Sequence, residues 1–128
     1  MAEVPVVLVV EDDQPLQDII HDALKDGGFD LLITASGEEA LTLLGSGVFK
    51  CSALVTDINL KGRMDGWEVA RQSREINSAF PIVYITGAAA GRWSSRGVPN
   101  SILLEKPFAP AQLVTAISQL LNAGYTGQ

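Results

Sequence analysis

The chain has 128 residues, of which 47% are hydrophobic, and its formal net charge is −6. This length suits one domain with a single core, and this hydrophobic content argues against intrinsic disorder. The acidic charge argues against nucleic-acid binding, which needs a basic face. The single cysteine excludes an intrachain disulfide and a metal site built from several thiolates.

The N-terminus lacks the basic segment that opens a signal peptide. No apolar run approaches the roughly 20 residues needed to cross a bilayer. We therefore expect a soluble, cytoplasmic protein with no membrane partner. We also expect one domain over residues 1–128, with its core at about 4–122 and a short C-terminal tail, which favours a free-standing protein.

Short apolar runs alternate with segments of helical spacing along the chain. The first run, 6–10, is continuous and rich in β-branched residues, which is typical of a strand buried on both faces. An apolar stripe at helical spacing follows it, made of Leu16, Ile19, Ile20, Ala23 and Leu24. Further strands are predicted at 31–35, 53–56, 81–86 and 102–104.

Helices are predicted after each of these strands. The second begins after Ser36, the third covers about 67–75, and the last carries an apolar stripe over 113–121. Segment 87–97 holds three glycines and two serines, so its helix propensity is low. We predict that the fourth helix is short, irregular or mobile.

Five strands that alternate with five helices predict an α/β fold with a parallel sheet covered on both faces. At this length the pattern favours a doubly wound, flavodoxin-like (βα)5 sandwich. Right-handed crossovers then give a five-stranded sheet with strand order 2-1-3-4-5.

Polar side chains stand at the carboxyl ends of four predicted strands. Glu11 and Asp12 follow the first strand, Asp57 the third, Thr86 ends the fourth, and Lys106 follows the fifth. Sites in such sheets form outside these strand ends. We therefore expect three carboxylates, a hydroxyl and an ammonium group to meet at one edge of the sheet.

This set of groups indicates phosphoryl chemistry. Clustered carboxylates repel one another unless a cation enters, and oxygen ligands select a hard cation such as Mg²⁺ or Mn²⁺. Lys106 adds a positive charge that attracts phosphoryl oxygens. Asp57 can act as the nucleophile without a general base, because an aspartate is ionised at neutral pH, and the product is an aspartyl phosphate.

Five motifs of the chain resemble the signature set of two-component receiver domains, in the family's order and over nearly the whole chain. They are Val9-Val10-Glu11-Asp12-Asp13, Val55-Thr56-Asp57-Ile58-Asn59-Leu60, Met64-Asp65-Gly66, Tyr84-Ile85-Thr86-Gly87 and Glu105-Lys106-Pro107-Phe108. The resemblance implies a phosphorelay protein that receives a phosphoryl group from a histidine kinase or a histidine phosphotransfer protein. Its downstream partner is an unknown protein, reached by protein contact.

The resemblance also implies roles for individual residues. Asp57 matches the phosphoacceptor, and it shares the Mg²⁺ with Asp12, a direct ligand, and with Glu11, which acts partly through water. Asn59 offers its backbone carbonyl to the metal.

Two further motif residues complete the implied site. Thr86 matches the switch hydroxyl that moves toward the phosphoryl oxygens. Lys106 matches the phosphate-binding lysine, and the bond from Lys106 to Pro107 is expected to be cis.

The chain departs from the family pattern at three places, one of which is a slightly short span from Thr86 to Lys106. The loop over 60–65 is one residue longer than the commonest form and lacks its usual proline. Leu103 stands where many receivers carry the aromatic residue that moves with the switch threonine. We expect phosphoacceptance to be retained and the coupling between the site and the surface to be looser.

The surface that transmits the signal is predicted around the fourth helix and the fifth strand. Arg92, Trp93 and Leu103 are candidates for it, since Trp and Arg are typical of binding hot spots, although ordinary packing is the alternative for Trp93. Two other functions stay open. One is a degenerate scaffold that takes no phosphate. The other is an aspartyl-phosphate phosphatase, which Asn59 disfavours because it cannot donate a carboxylic proton.

We expect no enzyme activity in the usual sense. The chemistry implied by the resemblance is self-catalysed phosphotransfer and dephosphorylation only.

Overall fold

The computed structural model describes residues 4–88 and 90–126, whose five strands form one parallel sheet. The strands are β1 (Val6–Val10), β2 (Asp30–Thr34), β3 (Ala53–Asp57), β4 (Ile82–Thr86) and β5 (Ser101–Glu105). Their order is β2-β1-β3-β4-β5, as predicted, so the α/β flavodoxin-like fold is confirmed.

Helices cover both faces of the sheet. They are α1 (Gln14–Asp26), α2 (Gly37–Ser46), α3 (Gly66–Ile76), α4 (Trp93–Arg96) and α5 (Pro110–Thr126). The last helix reaches Thr126, and the final two residues of the predicted tail lie outside the described residues.

Short polar side chains begin the first three helices. Asp13 accepts a hydrogen bond from Leu16 N before α1 (3.0 Å), and Asp65 accepts one from Glu68 N before α3 (3.0 Å). Ser36 plays the same part before α2. Each cap satisfies a backbone donor that the first helical turn leaves unpaired. The caps place the starts of α1 and α3 directly beside the carboxyl ends of β1 and β3.

Alternate strand residues supply two separate apolar layers. Val7 and Val9 face the side covered by α1 and α5, whereas Leu8 and Val10 face the side covered by α2 and α3. All four side chains are fully buried. Burial on both faces explains why β1 reads as a continuous apolar run rather than an alternating one.

The fourth helical segment is short and irregular, as predicted. A 3₁₀ turn at Ala90–Arg92 leads into α4, which has only four residues. Its N-terminus has no side-chain cap, and Gly97 ends it. Glycine and serine lower the helix propensity of this segment, so it forms barely one helical turn.

No helix among residues 4–88 and 90–126 is both long enough and apolar enough to span a membrane.

Candidate functional site

The carboxyl ends of four strands bring the predicted site residues together. Glu11 directly follows β1, Asp57 and Thr86 are the last residues of β3 and β4, and Lys106 directly follows β5. Lys106 Nζ donates to Asp57 Oδ2 (3.1 Å) and lies 3.6 Å from Glu11 Oε1. Residues separated by 95 positions of sequence therefore meet because parallel strands end at one edge.

Three acids form a group with the dimensions of a cation site. One oxygen each from Glu11, Asp12 and Asp57 can be chosen so that all three lie within 4.8 Å of one another. Glu11 is 1% exposed and Asp57 is 5% exposed, whereas Asp12 is half-buried. The donor set consists of oxygen atoms with access to solvent at Asp12, which suits Mg²⁺ and its bound waters.

Glu11 is less well satisfied than its burial requires, although Lys106 Nζ forms an ion pair with it (3.6 Å). Its Oε1 is buried and has no hydrogen-bond partner among the described residues. Burial and the neighbouring charge of Asp57 raise the pKa of Glu11 to about 7. A buried carboxylate oxygen without a donor is costly, and a divalent cation would remove that cost. The residues present therefore fit the metal that the sequence predicts.

Lys106 supplies a permanent positive charge to the same group. Burial by itself lowers the pKa of its ammonium, but the hydrogen bond to Asp57 and the charges of Asp57 and Glu11 outweigh burial, so the pKa is raised. The bond between Lys106 and Pro107 is cis, which is the isomer that the resemblance implies.

Backbone contacts fix the position of the first acid. Asp13 N donates to Glu11 Oε2 (3.1 Å), and Glu11 N donates to Thr34 O of β2 (3.0 Å). Gln17 Nε2, on the first turn of α1, donates to the Glu11 carbonyl (2.5 Å). Sequence reasoning missed Gln17, although its position one turn after the acidic motif was a signal that could have found it.

The phosphoacceptor candidate sits between a backbone donor and a close helix. Asn59 N donates to Asp57 Oδ1 (3.3 Å). Gly66 lies so near that a Cβ built on it would be 2.2 Å from the Asp57 carbonyl oxygen. A glycine at this position therefore lets α3 begin against the end of β3. The proposed role of the Asn59 carbonyl as a metal ligand stays a prediction.

Thr86 lies at the edge of the pocket with its hydroxyl turned into the following loop. The residue is fully buried, and its Oγ1 accepts a hydrogen bond from Ala88 N (3.1 Å). The hydroxyl therefore holds the first turn of the segment that leads to α4. Thr86 is the last residue of β4, the strand that pairs with the one ending at Asp57.

The aromatic residue near the switch position lies on β4 rather than β5. Leu103 is half-buried and pairs across the sheet with Tyr84. Tyr84 is fully buried, its ring centroid is 4.8 Å from that of Trp67, and its hydroxyl accepts from Val98 N (3.0 Å). Sequence reasoning missed this contact. The spacing from Tyr84 to Thr86 places both on one face of a strand, but no pattern in the sequence marks Val98 N as the partner of the Tyr84 hydroxyl.

Of the three residues predicted to form a partner surface, two are exposed to solvent and one is half-buried. Trp93 is 39% exposed, and its Nε1 donates to Ser101 Oγ (3.0 Å), so it both packs and faces solvent. Arg92 is exposed. Leu103 instead packs against the buried cluster on the α2 and α3 side of the sheet. Whether a partner uses these residues stays a prediction.

Comparison with known proteins agrees with this architecture. The sequence matches the response regulator receiver domain family over residues 7–118. A response regulator receiver protein from Sinorhizobium medicae has a solved structure that is 48% identical, with a TM-score of 0.91. That match covers 94% of this chain and 97% of the other. The receiver domain of the hybrid histidine kinase CckA, at 24% identity and a TM-score of 0.76, covers 91% and 98% respectively and shares the fold.

Sequence relatives give the same family. Response regulator MprA from Mycolicibacterium vanbaalenii is 31% identical over 118 residues, which make up 91% of this chain and 50% of that protein. The chain therefore spans about half the length of the curated relatives it matches. Because the family match extends from β1 into α5, the chain belongs to the response regulator receiver family of two-component signalling.

Proposed function

We propose that this receiver domain is a phosphoacceptor that takes a phosphoryl group onto Asp57 in the presence of Mg²⁺. The observation that carries the proposal is the contact of Asp57 with Lys106 Nζ (3.1 Å) beside two further acids. Such a group is poorly suited to packing, because it gathers three acids, two of them buried, around one ammonium group. It suits a site that receives a metal ion and an anionic phosphoryl group.

The donor is a phosphohistidine of a histidine kinase or a histidine phosphotransfer protein. A carboxylate oxygen of Asp57 forms a bond to phosphorus while the phosphorus–nitrogen bond of the donor breaks, and the imidazole leaves with that electron pair. Lys106 neutralises charge on the phosphoryl oxygens throughout. When bound, Mg²⁺ supplies further charge neutralisation at those oxygens.

Thr86 converts this chemistry into a change of shape. In the structure its hydroxyl is engaged by Ala88 N. A phosphoryl group on Asp57 offers stronger acceptors, so the hydroxyl turns to donate to it and Ala88 N loses its acceptor. The segment from Gly87 to Gly97 then rearranges, and a partner protein reads the new surface. The domain dephosphorylates itself and turns over no other substrate.

The test is incubation with acetyl phosphate and Mg²⁺ followed by intact-mass measurement. We expect the mass of one added phosphoryl group on the wild type and none on Asp57→Asn. Asp22→Asn removes an exposed acid of α1 and is the matched control, which should still gain the adduct. EDTA should prevent the adduct in every sample.

Two results would contradict the proposal. An adduct that persists in Asp57→Asn would place the phosphoryl group elsewhere. Failure of the wild type to gain an adduct from either acetyl phosphate or a phosphorylated histidine phosphotransfer protein would favour the scaffold alternative.

A further inference from the structure

The loop between β3 and α3 is held by carboxylates from two other parts of the chain. Lys61 N donates to Asp12 Oδ2 (3.3 Å), and Arg63 N donates to Glu38 Oε2 (3.2 Å). Asp12 belongs to the acidic group of the site, whereas Glu38 is in the first turn of α2 and outside that group. Two amides of one short loop thus point to two different acids.

The glycine between the two amides allows this arrangement. Gly62 has a φ of 101°, a backbone conformation that other residues rarely adopt. A Cβ built on Gly62 would lie 3.3 Å from Glu38 Oε1, so the carboxylate of Glu38 packs directly against the turn. This loop has no proline to stiffen it, and the Glu38 contact is a hydrogen bond that holds it in place.

The loop in turn restrains the least buried acid of the site. Glu11 and Asp57 are almost fully buried, but Asp12 is half-buried. A carboxylate in that position loses rotamer freedom when it binds a metal, and an existing hydrogen bond reduces that loss. The Lys61 amide supplies such a bond, provided that the loop keeps its shape.

We propose that Glu38 is a positioning residue for the metal site. By accepting from Arg63 N it fixes the loop that presents the Lys61 amide to Asp12, and so it orients Asp12 before the metal arrives. The proposal rests on the proposed function, since it assigns Glu38 a part in the same Mg²⁺ site. Glu38 is not one of the three acids of that site.

The test is calorimetric titration of the whole chain with Mg²⁺ in four forms. Glu38→Ala removes the acceptor and should weaken Mg²⁺ binding about three- to tenfold, at or below the low end of the effect of losing a direct outer-shell partner. Glu38→Gln keeps an oxygen acceptor and should bind within twofold of the wild type. Glu39→Ala is the matched control, because Glu39 is in the same helical turn and accepts from Ala35 N instead (3.1 Å).

A further variant and two further measurements test whether the loop contact, rather than a general loss of stability, causes the effect. Gly62→Ala disturbs the loop side of the same contact and should weaken Mg²⁺ binding to a similar degree. Amide hydrogen exchange without metal should show Arg63 protected in the wild type and Glu38→Gln, and unprotected in Glu38→Ala. The Tm of Glu38→Ala should differ from that of the wild type by no more than the Tm of Glu39→Ala does.

Each contrary outcome has a distinct meaning. Mg²⁺ affinity of Glu38→Ala within twofold of the wild type overturns the positioning role while the proposed function stands. Equal weakening by Glu38→Gln and Glu38→Ala would assign the effect to the lost charge and also overturns it. A wild type that binds no Mg²⁺ overturns the proposed function and the role of Glu38 together.

Discussion

The acidic pocket and the neighbouring segment from Gly87 to Asn100 differ in burial and in secondary structure. The pocket is made by side chains at the ends of β1, β3, β4 and β5, and its Glu11 and Asp57 are almost inaccessible to solvent. The described side chains of the segment are exposed or half-buried, and its regular structure is one 3₁₀ turn and a four-residue helix. The chemical groups are therefore fixed by sheet register, whereas the neighbouring segment has little secondary structure to hold it.

Side-chain hydrogen bonds hold the segment at intervals. Its beginning is bound through the Thr86 hydroxyl, its middle through Trp93 and Ser101, and its end through Tyr84 and Val98. Such contacts are individually worth about 1 kcal/mol, so each can be exchanged without loss of the fold. In the proposed function, a phosphoryl group on Asp57 alters the first of these bonds.

The largest effect is expected where the pocket meets α3. In Gly66→Ala the added Cβ would meet backbone atoms of Asp57 and Ile58 at 2.2 and 2.7 Å, so the strand end or the helix must shift. We expect a loss of about 3 kcal/mol in the free energy of unfolding, measured by urea denaturation, and a loss of phosphoacceptance. Gly45→Ala, in open space on α2, should instead stabilise by about 0.5–1 kcal/mol. Equal effects of the two variants would contradict this account.

The pH dependence of the metal-free protein should report on Glu11. Its pKa is about 7 in the folded state, above the ordinary value of 4.5, so the folded state takes up this proton first as the pH falls. Stability should therefore rise by about 1–2 kcal/mol between pH 8 and pH 5, as measured by thermal or urea unfolding. Glu68 and Asp30 have lowered pKa values and contribute below this window.

Matched variants sharpen the same measurement. Glu11→Gln should abolish the rise in stability, and saturating Mg²⁺ should oppose it by favouring the ionised carboxylate. Glu105→Gln removes an exposed acid beside Lys106, and the change of its stability with pH should equal that of the wild type. If Glu11→Gln shows the same change of stability with pH as the wild type, Glu11 is not its cause.

Tyr84→Phe removes the acceptor at the far end of the segment. The Val98 amide then lacks its partner, and we expect a loss of about 1–2 kcal/mol in the free energy of unfolding. Amide exchange should accelerate at Val98 and its neighbours while Leu54, in the buried strand β3, keeps its relative protection. Uniform acceleration of both would show that the hydroxyl acts on the whole fold.

The smallest expected effect concerns β5. We expect beryllofluoride with Mg²⁺, a phosphoryl mimic, to change amide exchange strongly over 87–97 and weakly over 101–105. The reason is that Leu103 packs into the core cluster and carries no ring to move with Thr86. An all-or-none change across 87–108 would count against this loose coupling.

Most of the fold follows from the sequence, because apolar runs and helical stripes alternate so regularly. The strand boundaries differ by small amounts: the second strand is Asp30–Thr34 rather than 31–35, and the fifth is Ser101–Glu105 rather than 102–104. The site follows too, since parallel strands end at one edge and carry their terminal side chains there. The short fourth helix was foreseeable from the glycines before and after it.

Contacts between a loop amide and a side chain of a distant helix or strand could not be foreseen in this way. The bonds from Arg63 N to Glu38 and from Val98 N to Tyr84 join segments whose relative positions depend on loop conformation. No periodic pattern marks a backbone amide as the partner of a distant side chain. Leu103 shows the same limit, because sequence identified the missing ring but not that Tyr84 fills space on the neighbouring strand.

The two tryptophans of this domain can serve as built-in optical reporters. Trp67 is 3% exposed and its ring contacts that of Tyr84 in a tilted arrangement, whereas Trp93 is 39% exposed in α4. Their emission should therefore differ in colour and in quenching by iodide. Variants that keep one tryptophan, with phenylalanine in place of the other, would let the interior and the α4 segment be followed separately in real time without an attached dye.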